Sequence, residues 1–102
     1  MVGLKVIWTE TAYKQRNSIF KYWNVRNKNN NYSSKLRKEI NNRINQISKF
    51  PEIGKLVDFN TNHAVSLGHF SLLYKHVDNS IIITAFWDNR DDPAKLLEIL
   101  KK

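Results

Sequence analysis

The stretch from Phe70 to Arg90 constrains the fold of this chain more than any other segment. Two runs of apolar, β-branched and aromatic residues flank the dipeptide Asp78-Asn79. An Asp-Asn link between two such runs predicts a β-hairpin, because both residue types tolerate a positive φ in a two-residue turn. The rest of the chain must therefore be arranged around a sheet that contains this hairpin.

The turn also predicts the register, with Val77 opposite Ser80 and His69 opposite Asp88. Strand side chains alternate, so one face of the predicted hairpin is almost wholly apolar and should carry the core. That face comprises Phe70, Leu72, Tyr74, Ile81, Ile83, Ala85 and Trp87. The polar residues of the other face crowd one end, where they form either a site or the solvated face of an antiparallel sheet.

Changes of periodicity along the chain predict the remaining elements. These are a strand at residues 4–8, a helix at 10–27 capped by Thr9, a second helix capped by Ser33 or Ser34 that stops at Pro51, a strand at 63–67, and a short helix that begins at Pro93 after a cap at Asp92. The order β-α-α-β-β-β is compact but does not by itself identify the fold, and the length predicts one domain that covers residues 1–102.

Charge is strongly asymmetric along the sequence. The net charge is +8, and residues 1–50 hold eleven Lys or Arg against two acidic residues, whereas residues 51–102 hold six against seven. Such a field favours a polyanionic partner, either nucleic acid or an acidic protein segment, although it also serves solubility. Much of the charge lies on the second helix, at Lys35, Arg37, Lys38 and Arg43.

The absence of cysteine excludes a thiol nucleophile and a Cys-ligated metal site, and it fits a reducing compartment. The three histidines lie far apart in the sequence and do not form a zinc-ligand pattern, so we expect no metal and no cofactor. The N-terminal apolar run is too short for a signal peptide or a membrane span. We therefore expect a cytoplasmic protein that does not bind a membrane.

Four segments together resemble the RelE/ParE toxin superfamily of bacterial type II toxin–antitoxin systems. They are VIWTETAYKQRNSIFKYW, ISKFPEIGK, FSLLYKHVDNSIIITAFW and the closing WDNRDDPAKL, in which DNRDDP is similar to the DxRQxP ending of one branch. The resemblance implies an α+β fold, in which a helical hairpin packs on one face of a mostly antiparallel four-stranded sheet. The other face is then concave.

For activity, the resemblance implies growth inhibition by one of two routes. In the RelE branch the concave face grips messenger RNA on the ribosome, and the ribose 2′-hydroxyl attacks the adjacent phosphate without a metal ion. In the ParE branch the same fold lacks the nuclease residues and acts on DNA gyrase. The RelE route is the first hypothesis, the ParE route the second, and a non-toxic basic nucleic-acid-binding domain the third.

Under the RelE route, the resemblance implies roles for the polar residues of the hairpin. Arg90 would stabilise the charge that builds on the phosphate, His69 would act as acid or base oriented by Asp88, and Asp58 is a second base candidate. Contacts to RNA would come from Lys75, Ser71 and Asn89. Ser71 stands where many RNA-cleaving members carry an arginine, and Asn89 and Arg90 stand where others end the fourth strand with a histidine, tyrosine or arginine.

The resemblance also implies a cognate antitoxin, expected to be acidic and amphipathic and to fold on the toxin surface. Its carboxylates would meet the basic residues of the second helix, which are Lys35, Arg37, Lys38 and Arg43.

Overall fold

The structure is a computed structural model that describes residues 4–57 and 62–100. Its elements, in chain order, are β1 (Lys5–Trp8), α1 (Glu10–Asn27), α2 (Asn31–Lys49), β2 (Lys55–Leu56), β3 (His63–Leu67), β4 (Phe70–Val77), β5 (Ser80–Asp88) and α3 (Pro93–Leu100). The strands form one sheet in the order β1-β5-β4-β3-β2. Only the β1–β5 pair is parallel among the strands described, so the predicted α+β fold is confirmed.

In the part of the chain that the structure describes, the sheet has five strands where the sequence predicts four. The additional strand, β2, contains two residues that pair with His63 and Ala64 of β3 at one edge of the sheet. A pair of this length leaves no periodic signal in the sequence, and it lies inside a segment that we expect to be a loop.

The two helices form an antiparallel hairpin on one face of the sheet, as predicted. Thr9 caps α1, since its side chain accepts a hydrogen bond of 3.1 Å from the Ala12 N–H. The predicted caps of α2 are wrong, because that helix already begins at Asn31. The chain turns at Lys28, whose φ is 57°, and the amide oxygen of Asn29 accepts from the Asn31 N–H at 3.0 Å. Ser33 thus lies within the first turn of α2, where it is buried.

The hairpin turns at Asp78-Asn79, and the predicted pairs of Val77 with Ser80 and of Lys75 with Ile82 are confirmed. Asp78 takes up the left-handed conformation of the turn with a φ of 53°. Beyond Tyr74 the register shifts, because Tyr74 pairs with Ile83 whereas Leu73 pairs with Ala85. Thr84 is therefore an extra residue in β5, which makes this site a β-bulge.

The bulge reverses the faces of the second half of β5. Phe86 lies on the helix side, where its ring stacks on Phe70 with centroids 5.3 Å apart. The prediction that Ala85 and Trp87 face the helices is wrong, because both lie on the other side of the sheet with Leu73. An inserted residue shifts the alternation of side chains by one position, so every residue after it changes face.

Side-chain hydrogen bonds from other elements hold the bulged segment. The Phe86 N–H donates to the Gln15 side-chain oxygen of α1 at 2.9 Å. The Thr84 hydroxyl donates to the side-chain oxygen of Asn62, which is almost fully buried. A bulge removes ladder hydrogen bonds, and these contacts from α1 and the segment before β3 replace part of what is lost.

The main core lies between the sheet and the two helices. It contains Phe20 from α1, Leu36, Ile40, Ile44 and Ile47 from α2, and Val65, Leu67, Phe70, Leu72, Tyr74, Ile81, Ile83 and Phe86 from the sheet. The hydroxyl of Tyr74 donates to the Pro51 carbonyl at 2.7 Å and accepts from the Gly54 N–H at 3.0 Å. A Cβ at position 54 would lie 2.6 Å from that hydroxyl, so glycine is required for this close approach.

A second, smaller cluster covers part of the opposite face of the sheet. Leu73, Ala85 and Trp87 are buried there, and Val57, Ala64 and Leu96 pack against them. Leu96 belongs to α3, which begins as predicted: the Asp92 carboxylate accepts from the Ala94 N–H at 3.0 Å. The face that we expect to be open and polar therefore has an apolar centre.

Candidate target-binding site

The polar end of the hairpin is built around a bidentate ion pair between Arg90 and Asp88. Arg90 donates from Nε to Asp88 Oδ1 at 2.9 Å and from Nη2 to Asp88 Oδ2 at 2.7 Å. The Arg90 N–H also donates to Asp88 Oδ1 at 2.9 Å, so the carboxylate closes the turn that follows β5. This geometry forms because only one residue separates the pair, and the planar guanidinium matches the two carboxylate oxygens.

The ion pair affects the ionisation of both groups. The hydrogen bonds from Arg90 lower the pKa of the Asp88 carboxyl, burial opposes this lowering, and the charge of His69 adds a smaller lowering contribution. The same hydrogen bonds raise the pKa of Arg90. Asp88 is therefore an anion at neutral pH, and its charge is directed at Arg90.

The shifted register places His69 differently from the expected arrangement. Phe70, rather than His69, pairs with Asp88, and His69 lies exposed in the turn between β3 and β4. Its carbonyl accepts from the Asn89 N–H at 2.8 Å. The Asn89 side-chain oxygen accepts from the Ser71 hydroxyl at 2.7 Å, so Ser71 and Asn89 are linked to each other.

The other predicted site residues are distributed over the molecule. Lys75 pairs with Ile82 near the opposite end of the hairpin, away from Arg90. Asp58 lies outside the described residues. On α2, Lys35, Arg37 and Lys38 are exposed. Arg43 instead braces α2 against the sheet, since it donates from Nη2 to the Ser66 carbonyl at 3.0 Å.

A cleft of about 710 Å³ runs along α1 and ends at the Asp88–Arg90 pair. We name it the α1 cleft. It is lined by Thr11, Lys14, Gln15, Ser18, Ile19, Tyr22, Trp23, Arg26, Phe86, Trp87, Asp88, Arg90 and Asp91. The bulge brings Asp88 to this cleft, because Asp88 now pairs with Phe70 and shares its helix-side face. Arg90 lies beside it through their ion pair.

Aromatic and arginine side chains dominate one end of the α1 cleft. Tyr22 meets Trp23 edge to face with centroids 5.3 Å apart, and Trp23 lies 4.7 Å from the ring of Tyr32. Arg26 donates to the Tyr22 hydroxyl at 3.2 Å and lies over Trp23 at 5.2 Å. These contacts hold the rings in place although 56% of Tyr22 is exposed.

No pattern in the sequence indicates this cleft. Tyr22 and Arg26 lie on the face of α1 that looks merely solvated, and nothing in their spacing shows that a β-strand end lies beside them. The available signal was an aromatic residue at a position that a helix leaves to solvent, followed four residues later by an arginine. In residues 4–57 and 62–100, no group of three or more His, Asp or Glu side chains is arranged to hold a metal ion.

Residues 6–93 match the protein family described as "ParE toxin of type II toxin-antitoxin system, parDE". The chain belongs to the ParE toxin family. It is therefore the toxin component of a type II toxin–antitoxin system, and a cognate antitoxin is its partner. No helix in the described part of this ParE-family toxin is long and apolar enough to cross a membrane.

Comparison with solved structures supports the same fold for this ParE-family toxin. A chain described as "Chromosomal ParDE TA system from P. aeruginosa" superposes with a TM-score of 0.58 at 15% sequence identity. The superposition covers 83% of the present chain and 95% of that chain. No curated protein sequence matched.

Proposed function

We propose that this ParE-family toxin stops growth by binding DNA gyrase, and that it inhibits gyrase without catalysing a reaction. The proposal rests mainly on the bulge at Thr84. The bulge moves Trp87 to the sheet face on which a nuclease site is expected, and it directs Asp88 and Arg90 to the α1 cleft. The polar residues of the hairpin therefore do not converge on that face.

The hydrogen bonding of Arg90 supports the same proposal. A ribonuclease of this fold needs a guanidinium that is free to stabilise charge on a phosphate. Both oxygens of Asp88 already accept hydrogen bonds from Arg90, and a phosphate would have to displace this carboxylate. Ser71, at the position of an arginine in many RNA-cleaving relatives, is hydrogen-bonded to Asn89 and carries no charge.

The α1 cleft has the composition of a protein-binding site. Tyr, Trp and Arg are the residues most enriched among those that dominate binding energy at protein interfaces. Tyr22, Trp23 and Arg26 supply all three types on one end of α1, and Arg90 adds a second guanidinium at the rim. We infer that gyrase places an apolar side chain against the two rings, while the arginines orient its polar neighbours.

The test measures three activities of the toxin in parallel. Purified toxin is assayed for inhibition of gyrase supercoiling and for cleavage of messenger RNA with and without ribosomes, and induced cells are followed for translation and DNA supercoiling. We expect loss of supercoiling to come first and no RNA cleavage to occur. RNA cleavage by pure toxin without an effect on gyrase would establish the ribonuclease route instead.

Variants in the α1 cleft separate the two routes further. Tyr22→Ala should reduce gyrase inhibition at least about tenfold, because it removes an interface anchor. Tyr13→Ala is the matched control, since Tyr13 is a similarly exposed residue of α1 that does not line the cleft. His69→Ala should retain full gyrase inhibition, and a loss of activity in this variant alone would contradict the proposal.

A further inference from the structure

Two arginines lie over the same aromatic ring beside the edge strand β1. The Arg16 guanidinium of α1 lies over the rings of Trp8, Tyr13 and Phe20, at 4.9, 4.8 and 5.5 Å from their centroids. The Arg37 guanidinium of α2 lies over the same Phe20 ring at 5.0 Å. We name this set of five residues the arginine–aromatic cluster.

Burial and a neighbouring like charge both oppose the positive charge of Arg16 in the free toxin. Burial lowers the pKa of Arg16, and the positive charge of Arg37 lowers it further. Within the described residues neither guanidinium lies within salt-bridge distance of a carboxylate. The side-chain oxygen of Asn17, which accepts from Arg16 at 3.2 and 3.3 Å, is a neutral group. Two like charges held together in this way favour an anion from outside.

The cluster is also prepared for binding before a partner arrives. Contacts with the rings restrict the Arg16 side chain, so less conformational entropy is lost when an anion binds. A planar guanidinium held in position can donate two parallel hydrogen bonds to one carboxylate. Lysines such as Lys35 and Lys38 are exposed on α2 and lack this restriction, so their contribution is mainly long-range attraction.

We propose that the arginine–aromatic cluster is the site where the antitoxin anchors an acidic segment, with closely spaced carboxylates bound by Arg16 and Arg37. The rings of Trp8 and Tyr13 then contact apolar side chains of the same segment. An amphipathic acidic peptide fits this combination, whereas a DNA backbone presents phosphates without apolar groups. The proposal extends the toxin–antitoxin assignment and does not depend on gyrase as the target.

The test compares dissociation rates of the toxin from the short protein encoded in the reading frame beside the toxin gene. Arg37→Met removes the charge but keeps an apolar stem over Phe20, and Arg37→Lys keeps the charge but removes the planar group. We expect Arg37→Met to dissociate at least about tenfold faster with an association rate within about twofold, and Arg37→Lys to be intermediate. Lys21→Met, on the exposed side of α1, is the matched control and should change neither rate.

Thermal unfolding distinguishes a binding site from a structural brace. If Arg37 serves binding, Arg37→Met should unfold at the same temperature as the free wild-type toxin or higher, because repulsion of Arg16 is relieved. A lower unfolding temperature together with an unchanged dissociation rate would show a brace and overturn the proposal. The proposal would also be overturned if wild-type toxin binds a short DNA duplex more tightly than Arg37→Met does, while both dissociate from the antitoxin at the same rate.

The gyrase assay separates failure of this proposal from failure of the gyrase proposal. The cluster shares no residue with the α1 cleft, so free Arg37→Met toxin should inhibit its target as well as wild type does. If this variant loses target inhibition and keeps normal antitoxin dissociation, the cluster belongs to the target site rather than to the antitoxin site.

Discussion

Arg90 is the residue on which both routes of toxicity depend. Under the gyrase proposal it is a rim residue of the α1 cleft, and under the ribonuclease route it would stabilise charge on phosphate. Its side chain is 54% exposed and contacts Asp88, which is 28% exposed. An ion pair this exposed contributes little to folding. Arg90 can therefore be changed to test function with the fold intact.

We predict that Arg90→Ala abolishes growth inhibition and leaves the thermal midpoint within a few degrees of wild type. The measurements are colony formation after induction and thermal unfolding by circular dichroism. Lys95→Ala, which removes an exposed cation of α3 whose ion pair with Asp91 is long at 3.9 Å, is the control and should remain toxic. If Arg90→Ala does not fold, Arg90 has a structural role. If the variant folds and is still toxic, Arg90 is not part of the site.

Asp88 leads to a prediction about acid stability. Hydrogen bonds from Arg90 lower its pKa, so its contribution to stability is present above the ordinary value of about 3.9 and is lost as the pH falls through the lowered value. We expect the thermal midpoint to fall less steeply from about pH 5 to about pH 2 in Asp88→Asn than in wild type. Arg90→Gln should show the same shallower dependence. Equal slopes in all three proteins would mean that the pair does not persist in solution.

At the scale of elements, the β4–β5 hairpin organises the core. Ile83 pairs with Trp8 of β1 on one side and with Tyr74 of β4 on the other, and its side chain is fully buried. Phe20 comes from the opposite layer and contacts the same core. The packing of sheet on helices therefore depends on a few side chains that have no access to water.

We predict that Ile83→Ala or Phe20→Ala lowers the free energy of unfolding by about 2 to 5 kcal/mol, because each change leaves a cavity in a packed core. Val77→Ala in the same hairpin, where Val77 is 44% exposed, should cost within about 0.5 kcal/mol. Urea unfolding of the three variants provides the values. A cost below about 1 kcal/mol for both core variants would be inconsistent with this core.

At the scale of the whole molecule, positive charge is concentrated in the first half of the chain. Residues 1–50, with eleven basic and two acidic side chains, carry a net charge of +9, and residues 51–102, with six and seven, carry −1. On α2 the lysines and Arg37 are exposed. A field of this size accelerates the encounter with an acidic partner and weakens with salt. The exposed lysines of α2 should then govern the association rate of the antitoxin, and the arginine–aromatic cluster its dissociation rate.

We predict that reversing the charges of Lys35 and Lys38 to Glu slows antitoxin association several-fold and flattens its dependence on salt. Stopped-flow mixing at low and high ionic strength provides the rates. The isolated double variant should keep its toxicity, which serves as the control for folding. An association rate that is the same at both ionic strengths in wild type would disprove electrostatic steering.

The sequence by itself determined both long helices and the Asp78-Asn79 turn, because each depends on local patterns. Apolar residues three and four apart specify a helix, and an Asp-Asn pair between apolar runs specifies a hairpin. The resemblance to the RelE/ParE toxin superfamily was also evident from four segments of the sequence, and it implied the fold class. Charge asymmetry is likewise a property of composition and order alone.

Only the tertiary structure decided the geometry of the candidate site. Nothing near Thr84 signals a bulge, which depends on contacts with Gln15 and Asn62, residues 71 and 22 positions away from their partners. Because one inserted residue reverses the face of every side chain after it, Trp87 and Phe86 exchanged sides and Asp88 and Arg90 moved to the α1 cleft. Alternation predicts a face only while the register holds, and long-range contacts decide where it breaks.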